Sequence, residues 1–246
     1  MAHQEIDIQS MVPERWGIDS ARVVLLPPDA DQDRSIARLL SDPTTMQFLP
    51  FMTKPSGYTS ADAATRRQHR DEIQKKHKQQ VNFSIALKRS QIPEPVRGKM
   101  HADEFLPARS IPIDNGTIEV DEEYAVVGCC GLSSISGADR GAEAGIILDA
   151  RFWRSGVSSA ALYLTLQYGF EQLGLHRIVL LTTGKNVGMR GWMEKVVGVQ
   201  VESVRKDVIY LGGGEYLDSW DYAVFDHDWV GHSKRDILAR IEPASK

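Results

Sequence analysis

The stretch that leaves this chain least freedom runs from Glu143 to Gly198. A short apolar run, Ala144 to Leu148, gives way to a polar, glycine-containing turn, Asp149 to Ser159. Leu162, Leu166, Phe170 and Leu173 then recur at helical spacing and mark the buried stripe of a helix. Gly174 stands where that helix should end, because a residue without Cβ enters the left-handed region cheaply. A β-branched run, His176 to Thr183, follows. Strand, glycine turn, helix, strand is a βαβ unit, and its turn lies at the N-terminus of its helix.

That turn is where chemistry can enter. Trp153-Arg154-Ser155-Gly156-Val157-Ser158-Ser159 brings successive backbone N–H groups to the start of a helix. These amides lack intrahelical partners and carry partial positive charge, so they can hold a phosphate. Gly156 allows close approach, Arg154 adds charge, and Ser158 or Ser159 can cap or donate. The same turn can equally be an ordinary strand-to-helix connection capped by serine. Neither G-x-x-x-x-G-K-S/T nor G-x-G-x-x-G is present.

More of the stretch is patterned than the turn alone. It contains Ala142-Glu143-Ala144-Gly145, then Phe152-Trp153 and Gly156. Leu173-Gly174-Leu175-His176-Arg177-Ile178, Asn186 and Glu194-Lys195 follow in order without a gap. This series resembles the acyl-CoA-binding core of the GCN5-related N-acetyltransferases, in the branch similar to ribosomal-protein-alanine and spermidine acetyltransferases. The opening phrase RVVLLPPDADQDRSIARLLSDPTTMQFLP and the closing GEYLDSWDYAVFDHDW resemble the same branch.

The resemblance implies a single α/β (α+β) domain with a mixed, mostly antiparallel, splayed sheet flanked by helices. It implies acetyl-CoA as co-substrate, held at Arg154, Ser155, Gly156, Val157, Ser158 and Ser159. The strand carrying Glu143 would part from its neighbour, freeing backbone N–H groups around Ile146, Ile147 and Leu148 for the pantetheine and the thioester carbonyl. Asn186 would touch the co-substrate, or would simply be a turn residue of Gly184-Lys185-Asn186. Glu143 is the candidate general base, because an aliphatic amine near pKa ~10 must lose a proton before it attacks. Its bland alternative is a strand carboxylate paired at the surface.

Two positions depart from the family pattern. The branch usually has a serine three residues after its asparagine, and here Met189 stands there, unable to protonate a leaving thiolate. Tyr222, or Tyr210 or Tyr216 from the same hairpin, would have to supply that proton, or water would. Ser158 replaces the glycine or alanine the family prefers.

Composition agrees with a globular enzyme. The 246 residues are 42% apolar and 25% charged, enough for a full core. A net charge of -4 and a pI near 6.0 argue against a nucleic-acid surface. No apolar run approaches membrane-spanning length and the N-terminus is polar, so a cytoplasmic protein without a membrane partner is expected. Cys129 and Cys130 are adjacent in a strand and face opposite sides, which makes a disulfide or metal site improbable. The histidines lack metal-ligand spacing, so no metal is expected. Nothing fixes the oligomeric state, and a homodimer is compatible with the chain.

The expected organisation is an N-terminal extension over 1–20, the acyltransferase domain over 21–230, and a short charged helical tail over 231–246. Residues 61–79 read as a charged helix with a solvated face, or else as a lid over the acceptor. Residues 89–123, with Pro93, Pro95, Pro107 and Pro112, read as a long insertion that either selects the acceptor or is a flexible surface loop. Gly212-Gly213-Gly214 should join two closing strands.

Three functions follow: N-acetylation of a small-molecule primary amine, acetylation of a protein N-terminus or lysine, or acyl-CoA binding without catalysis, suggested by Met189.

Overall fold

Two parallel strands that part after three residue pairs set the architecture: Gly141 opposite Arg177, Ala142 opposite Ile178, and Glu143 opposite Val179. The computed structural model describes residues 7–241. In chain order its elements begin with β1 (Ile18–Asp19), β2 (Val24–Leu26), α1 (Asp33–Ser41), α2 (Ser60–Glu72) and β3 (Val81–Lys88). The next segment contains α3 (Glu94–Arg97), β4 (Phe105–Leu106), β5 (Arg109–Ile113) and β6 (Gly116–Val120). Then come the long β7 (Tyr124–Ser136), β8 (Gly141–Leu148), α4 (Val157–Gln167), β9 (Arg177–Thr183) and α5 (Val187–Trp192). The hairpin β10 (Val201–Gly212) and β11 (Glu215–Phe225) is followed by α6 (Asp226–Asp228) and α7 (Lys234–Ile241).

The main sheet runs β1-β2-β3-β7-β8-β9-β11-β10, and only the β8–β9 pairing is parallel. β4 takes up the edge of β7 at Tyr124 and Ala125, beyond the last β8 pair at Gly128. One face of the sheet is apolar. Phe83, Ile85, Cys130, Leu132, Ala144 and Ile178 pack there in one core with Ala161 and Leu162 of α4 and Ile237 of α7. The opposite face is only partly covered. Leu39, Leu40 and Met46 sit on Ile147 beside Cys129, leaving the polar positions of β3, β7 and β8 below α2. Alternation thus puts Cys130 in the main core and Cys129 on the other face, both as free thiols.

Local chemistry accounts for the ends of the elements. The β10–β11 turn has Gly213 and Gly214 at φ +60° and +85°, between the paired Gly212 and Glu215, as a two-residue hairpin of the tightest type requires. α2 starts with a reciprocal cap. Thr59 Oγ1 accepts from the Asp62 N–H at 3.1 Å, and Asp62 Oδ2 accepts from the Thr59 N–H at 2.9 Å. Thr59→Ala should therefore cost about 1 kcal/mol. It should lower Tm by roughly 2 to 4 °C, read by circular dichroism; an unchanged Tm would mean the cap contributes nothing to α2.

Three segments differ from the organisation expected of the sequence. Residues 89–123 are folded rather than an unstructured loop. The β5–β6 hairpin buries Ile111, Ile118 and Val120 against Val24, Leu26 and Ala86. Glu104 is almost completely buried and accepts from Arg151 at 2.6 Å and from Arg38 at 2.9 Å. Four prolines masked this, because a proline-interrupted hairpin loses its period-2 signal. The described part of the 231–246 tail belongs to the core: Ile237 and Ile241 of α7 are buried, and α7 packs on α4. Of the 1–20 extension, Ile8 and Val12 are buried and β1 pairs with β2. Residues 1–6 and 242–246 lie outside the described residues.

Candidate active site

Beyond Glu143, β8 has no partner on its β9 side, and the two strands open into a wedge. Neighbouring hydrogen bonds fix which backbone groups face it. The Asp149 N–H donates to Val127 O of β7 at 2.9 Å, while the Leu148 carbonyl, on the other side, accepts from Trp153 Nε1 at 2.9 Å. Strand alternation then turns the N–H groups of Ile146 and Leu148 into the wedge and that of Ile147 toward β7. Of the three residues expected there, Ile147 contributes its side chain to the opposite packing instead.

The open end of the wedge meets the start of α4. Gly156 is the N-cap at φ +89°, and no side chain caps the helix. Neither serine expected to cap does so: Ser159 Oγ accepts from Trp192 Nε1 at 2.9 Å, and Ser158 makes no such bond. Ser155 Oγ is spent locally, donating to Phe152 O at 2.6 Å. The first amides of α4, from Val157 through Ser159, thus begin the helix without side-chain acceptors of their own beyond a long 3.4 Å contact from Val157 N–H to Ser155 Oγ. Arg154 adopts φ +62°, and Arg22 brings Nη1 to 3.7 Å from where a Cβ on Gly156 would lie. Neither guanidinium has an ion pair among the described residues. This end can hold a polyanion such as a diphosphate.

At the apex of the wedge stands Glu143. Its carboxylate is half-buried and has no hydrogen bond or ion pair among the described residues. Burial pushes its pKa up, the nearby Arg205 pulls it down, and Asp221 pushes it up again, with a net rise above the ordinary 4.5. Arg205 Nε is bound to Asp221 Oδ2 at 2.5 Å, and Asp221 also accepts from Ser219 and Ser203. Burial opposes ionisation of Asp221, but these hydrogen bonds outweigh it and hold its carboxyl below the usual range. The wedge and the uncovered face of the sheet form one continuous cleft of about 1420 Å³, which Glu143, Ile146, Leu148, Gly156 and Asn186 line.

Of two further sequence candidates, Tyr222 is turned away from the cleft, while Asn186 lines it and also caps a helix. Glu143 pairs with Val179 and Val179 with Ala223, so Tyr222 points to the opposite face from Glu143. Tyr222 is fully buried and donates to Glu194 Oε1 at 2.7 Å, and burial followed by that bond raises its pKa. A phenol so engaged, and away from the cleft, is a poor acid for a thiolate. Asn186 caps α5: Oδ1 accepts from Met189 N–H at 3.1 Å, and Nδ2 donates to Thr182 Oγ1 at 3.0 Å. Met189 is partly buried against the core and lines the cleft.

The motif reading did not reach the far side of the cleft. Arg66, Arg67 and Arg70 of α2, with Asn82 and Ser84 of β3, line it. The sequence left two signals: the charged run 61–79, read as a solvated face or else a lid over the acceptor, and Asn82 and Ser84 at alternate positions of the otherwise apolar run VNFSIAL. None of residues 89–123 lines the cleft, contrary to the expectation that this segment would select the acceptor. Among the described residues no group of three or more His, Cys, Asp or Glu could hold a metal ion, and no helix is long and apolar enough to cross a membrane.

Solved structures share this fold. The solved GCN5-related N-acetyltransferase from Brucella melitensis matches 94% of this chain and 88% of its own, at 21% identity and a TM-score of 0.65. RimJ of Mycobacterium smegmatis, in complex with CoA-disulfide, matches 88% of each chain at 16% identity and a TM-score of 0.64. Spermidine N-acetyltransferase of Vibrio cholerae, in complex with CoA and spermine, matches 86% of this chain and all of its own at 15% identity and a TM-score of 0.60. These likenesses establish the fold. By sequence, the uncharacterised N-acetyltransferase YnaD of Bacillus subtilis (strain 168) is 30% identical over 87 residues, which is 35% of this chain and half the length of that relative. The family described as acetyltransferase (GNAT) domain matches residues 22–197. The chain therefore belongs to the GNAT acetyltransferase family.

Proposed function

We propose that this chain is an acetyl-CoA-dependent N-acetyltransferase that acetylates a primary amine of a small molecule, with Glu143 as general base. The observation that carries the proposal is the wedge between β8 and β9. It leads from an uncapped helix start flanked by Arg22 and Arg154 to an unpaired carboxylate. Pro50 to Met52 lie against β10, so the cleft is roofed rather than an open trough, which favours a compact acceptor over a polypeptide.

The residues divide the work as follows. The first turn of α4, with Arg22 and Arg154, holds the phosphates of the co-substrate. The N–H groups of Ile146 and Leu148 hydrogen-bond its pantetheine and polarise the thioester carbonyl, where negative charge develops during attack. An aliphatic ammonium is about a thousandfold more abundant than the free amine at neutral pH, so Glu143 accepts its proton. The nitrogen then forms the C–N bond, the C–S bond breaks, the nitrogen sheds its second proton to water, and the thiolate takes a proton from water. Met189 cannot provide it.

Thermal melting tests the co-substrate. Acetyl-CoA or CoA at a hundred times Kd should stabilise the chain by about 2.7 kcal/mol. That is a rise in Tm of roughly 5 to 10 °C, with none from NADH. No shift with either thiol compound would reduce the turn at Gly156 to a structural feature.

A further inference from the structure

We propose that the acceptor is an amine carrying its own anionic group, a carboxylate or a phosphate, which Arg70 and Arg66 receive while the amine faces Glu143. The inference rests on the acetyltransferase reading and adds the class of its second substrate.

The charges lining the acceptor side of the cleft do not cancel. Arg67 grips Asp33 through two bonds of 2.9 Å each. Asp29 is shared by Arg15 at 2.8 Å and Arg109 at 2.9 Å. Arg205 is taken by Asp221. Of the charged side chains between α2, β3 and the Glu143 end of β8, three have no ion pair among the described residues: the carboxylate of Glu143 and the guanidinium groups of Arg66 and Arg70. One negative and two positive charges complement a ligand with one amine and one anion.

Arg70 is set up for an anion rather than merely left over. Its Nε donates to Asn82 Oδ1 at 2.7 Å, which fixes the plane of the guanidinium. Asn82 is in turn held by Gln74 Oε1 at 3.1 Å. Both terminal amino groups of Arg70 are without a hydrogen bond among the described residues, and that pair of donors matches a carboxylate or phosphate edge. Burial works against its charge, Cys129 and Asp71 favour it and Arg66 opposes it, and the balance leaves its pKa below the usual range, with no carboxylate hydrogen-bonded to it. An incoming anion would relieve that imbalance.

The floor between the two ends is bare. Asn82 pairs with Gly131 and Gly131 with Gly145, so these three lie in a row across one face. Glu143 lies two residues along β8 on that same face. Two strand spacings and two residues separate the Cα atoms of Asn82 and Glu143 by roughly 12 Å. On this face β7 and β8 present only glycine in that row, and a Cβ built on Gly145 would meet nothing within 4 Å. With side chains reaching in from both ends, the space suits an amino acid or an aminoalkyl phosphate. A diamine would instead set its second cation against Arg66 and Arg70.

The test compares matched acceptors: an alkylamine, the ω-amino acid and aminoalkyl phosphate of similar length, and the diamine. Initial rates with saturating acetyl-CoA should favour an anionic amine over the alkylamine by at least tenfold in kcat/KM, expressed mainly in KM. Whichever of carboxylate or phosphate gives the larger preference identifies the natural group. Arg70→Gln should cut that preference at least tenfold, and Arg70→Lys should restore part of it. Because the readout is a ratio within one protein, partial misfolding does not mimic it. A preference for the diamine, or a ratio unchanged in R70Q, overturns the inference while leaving the acetyltransferase reading intact. Calorimetric titration of the same amines into the CoA complex is read in parallel. If no amine turns over, equal binding of anionic and neutral amines overturns the inference, and selective binding lost in R70Q supports it. Failure of acetyl-CoA itself to bind would sink the reading beneath it.

Discussion

Glu143→Gln is expected to lower kcat for amine acetylation by about 10²- to 10³-fold, within the range general-base removal produces. The amide has the size of the carboxylate and breaks no hydrogen bond among the described residues, so the fold and acetyl-CoA affinity should be retained. The pH profile gives the sharper signature. Burial raises the Glu143 pKa above 4.5, so in the wild type kcat/KM should fall as pH drops through that raised value and the base becomes protonated. In E143Q this acidic limb should vanish. Arg205→Gln removes the cation that holds the pKa down, and should move the limb to higher pH. Stopped assays across pH 5 to 9 would measure both. A variant within threefold of wild type, or an acidic limb that survives the substitution, would remove Glu143 from the mechanism.

The second large effect concerns stability. Gly131 has φ +153°, and a Cβ there would lie 2.1 Å from the Val81 carbonyl oxygen and 3.1 Å from its carbon. Both atoms are backbone of the adjoining strand, so no side-chain rotation can relieve the clash. Gly131→Ala must break the β3–β7 ladder at Asn82 or displace a strand at the centre of the sheet. The expected cost is about 4 kcal/mol, near the upper end for one substitution. Tm should fall by roughly 8 to 16 °C. Gly145→Ala, with open space around the added carbon, should melt close to wild type and serves as the control. Equal Tm values for wild type and G131A would mean β3 and β7 are held less closely than their register implies.

The α4 end of the cleft was more legible in the sequence than the α2 end. Backbone amides at a glycine turn leave a trace in sequence, because the turn demands a residue such as Gly156 and a helix behind it. The β8 position of Glu143 and the exit of β9 into α5 are local as well. The α2 end is assembled from α2 and β3 around residues separated from β8 by more than fifty positions, and no spacing rule joins Arg70 to Gly145. The parity of adjacent strands was legible in Cys129 and Cys130, but the consequence for Tyr222 required the pairing of β8, β9 and β11. Residues 89–123 were read as a loop because their apolar positions, Ile111, Ile118 and Val120, are too sparse to mark strands until Val24 and Leu26 lie beneath them. α7 looked like a tail because a charged helix shows its polar face in composition and its buried Ile237 and Ile241 only in space.

The brevity of the β8–β9 pairing has a mechanical side. Three residue pairs join a five-strand half, β1-β2-β3-β7-β8, to a three-strand half, β9-β11-β10. The adjoining ladders within each half are longer: seven residue pairs join β7 to β8 and seven join β9 to β11. A chain-like ligand lying in the wedge and accepting from Ile146 and Leu148 would act as a surrogate strand, extending that short seam between the two halves. Helices α4 and α5 enter from opposite sides of that seam, so whatever fills it also couples the two halves as one elastic body.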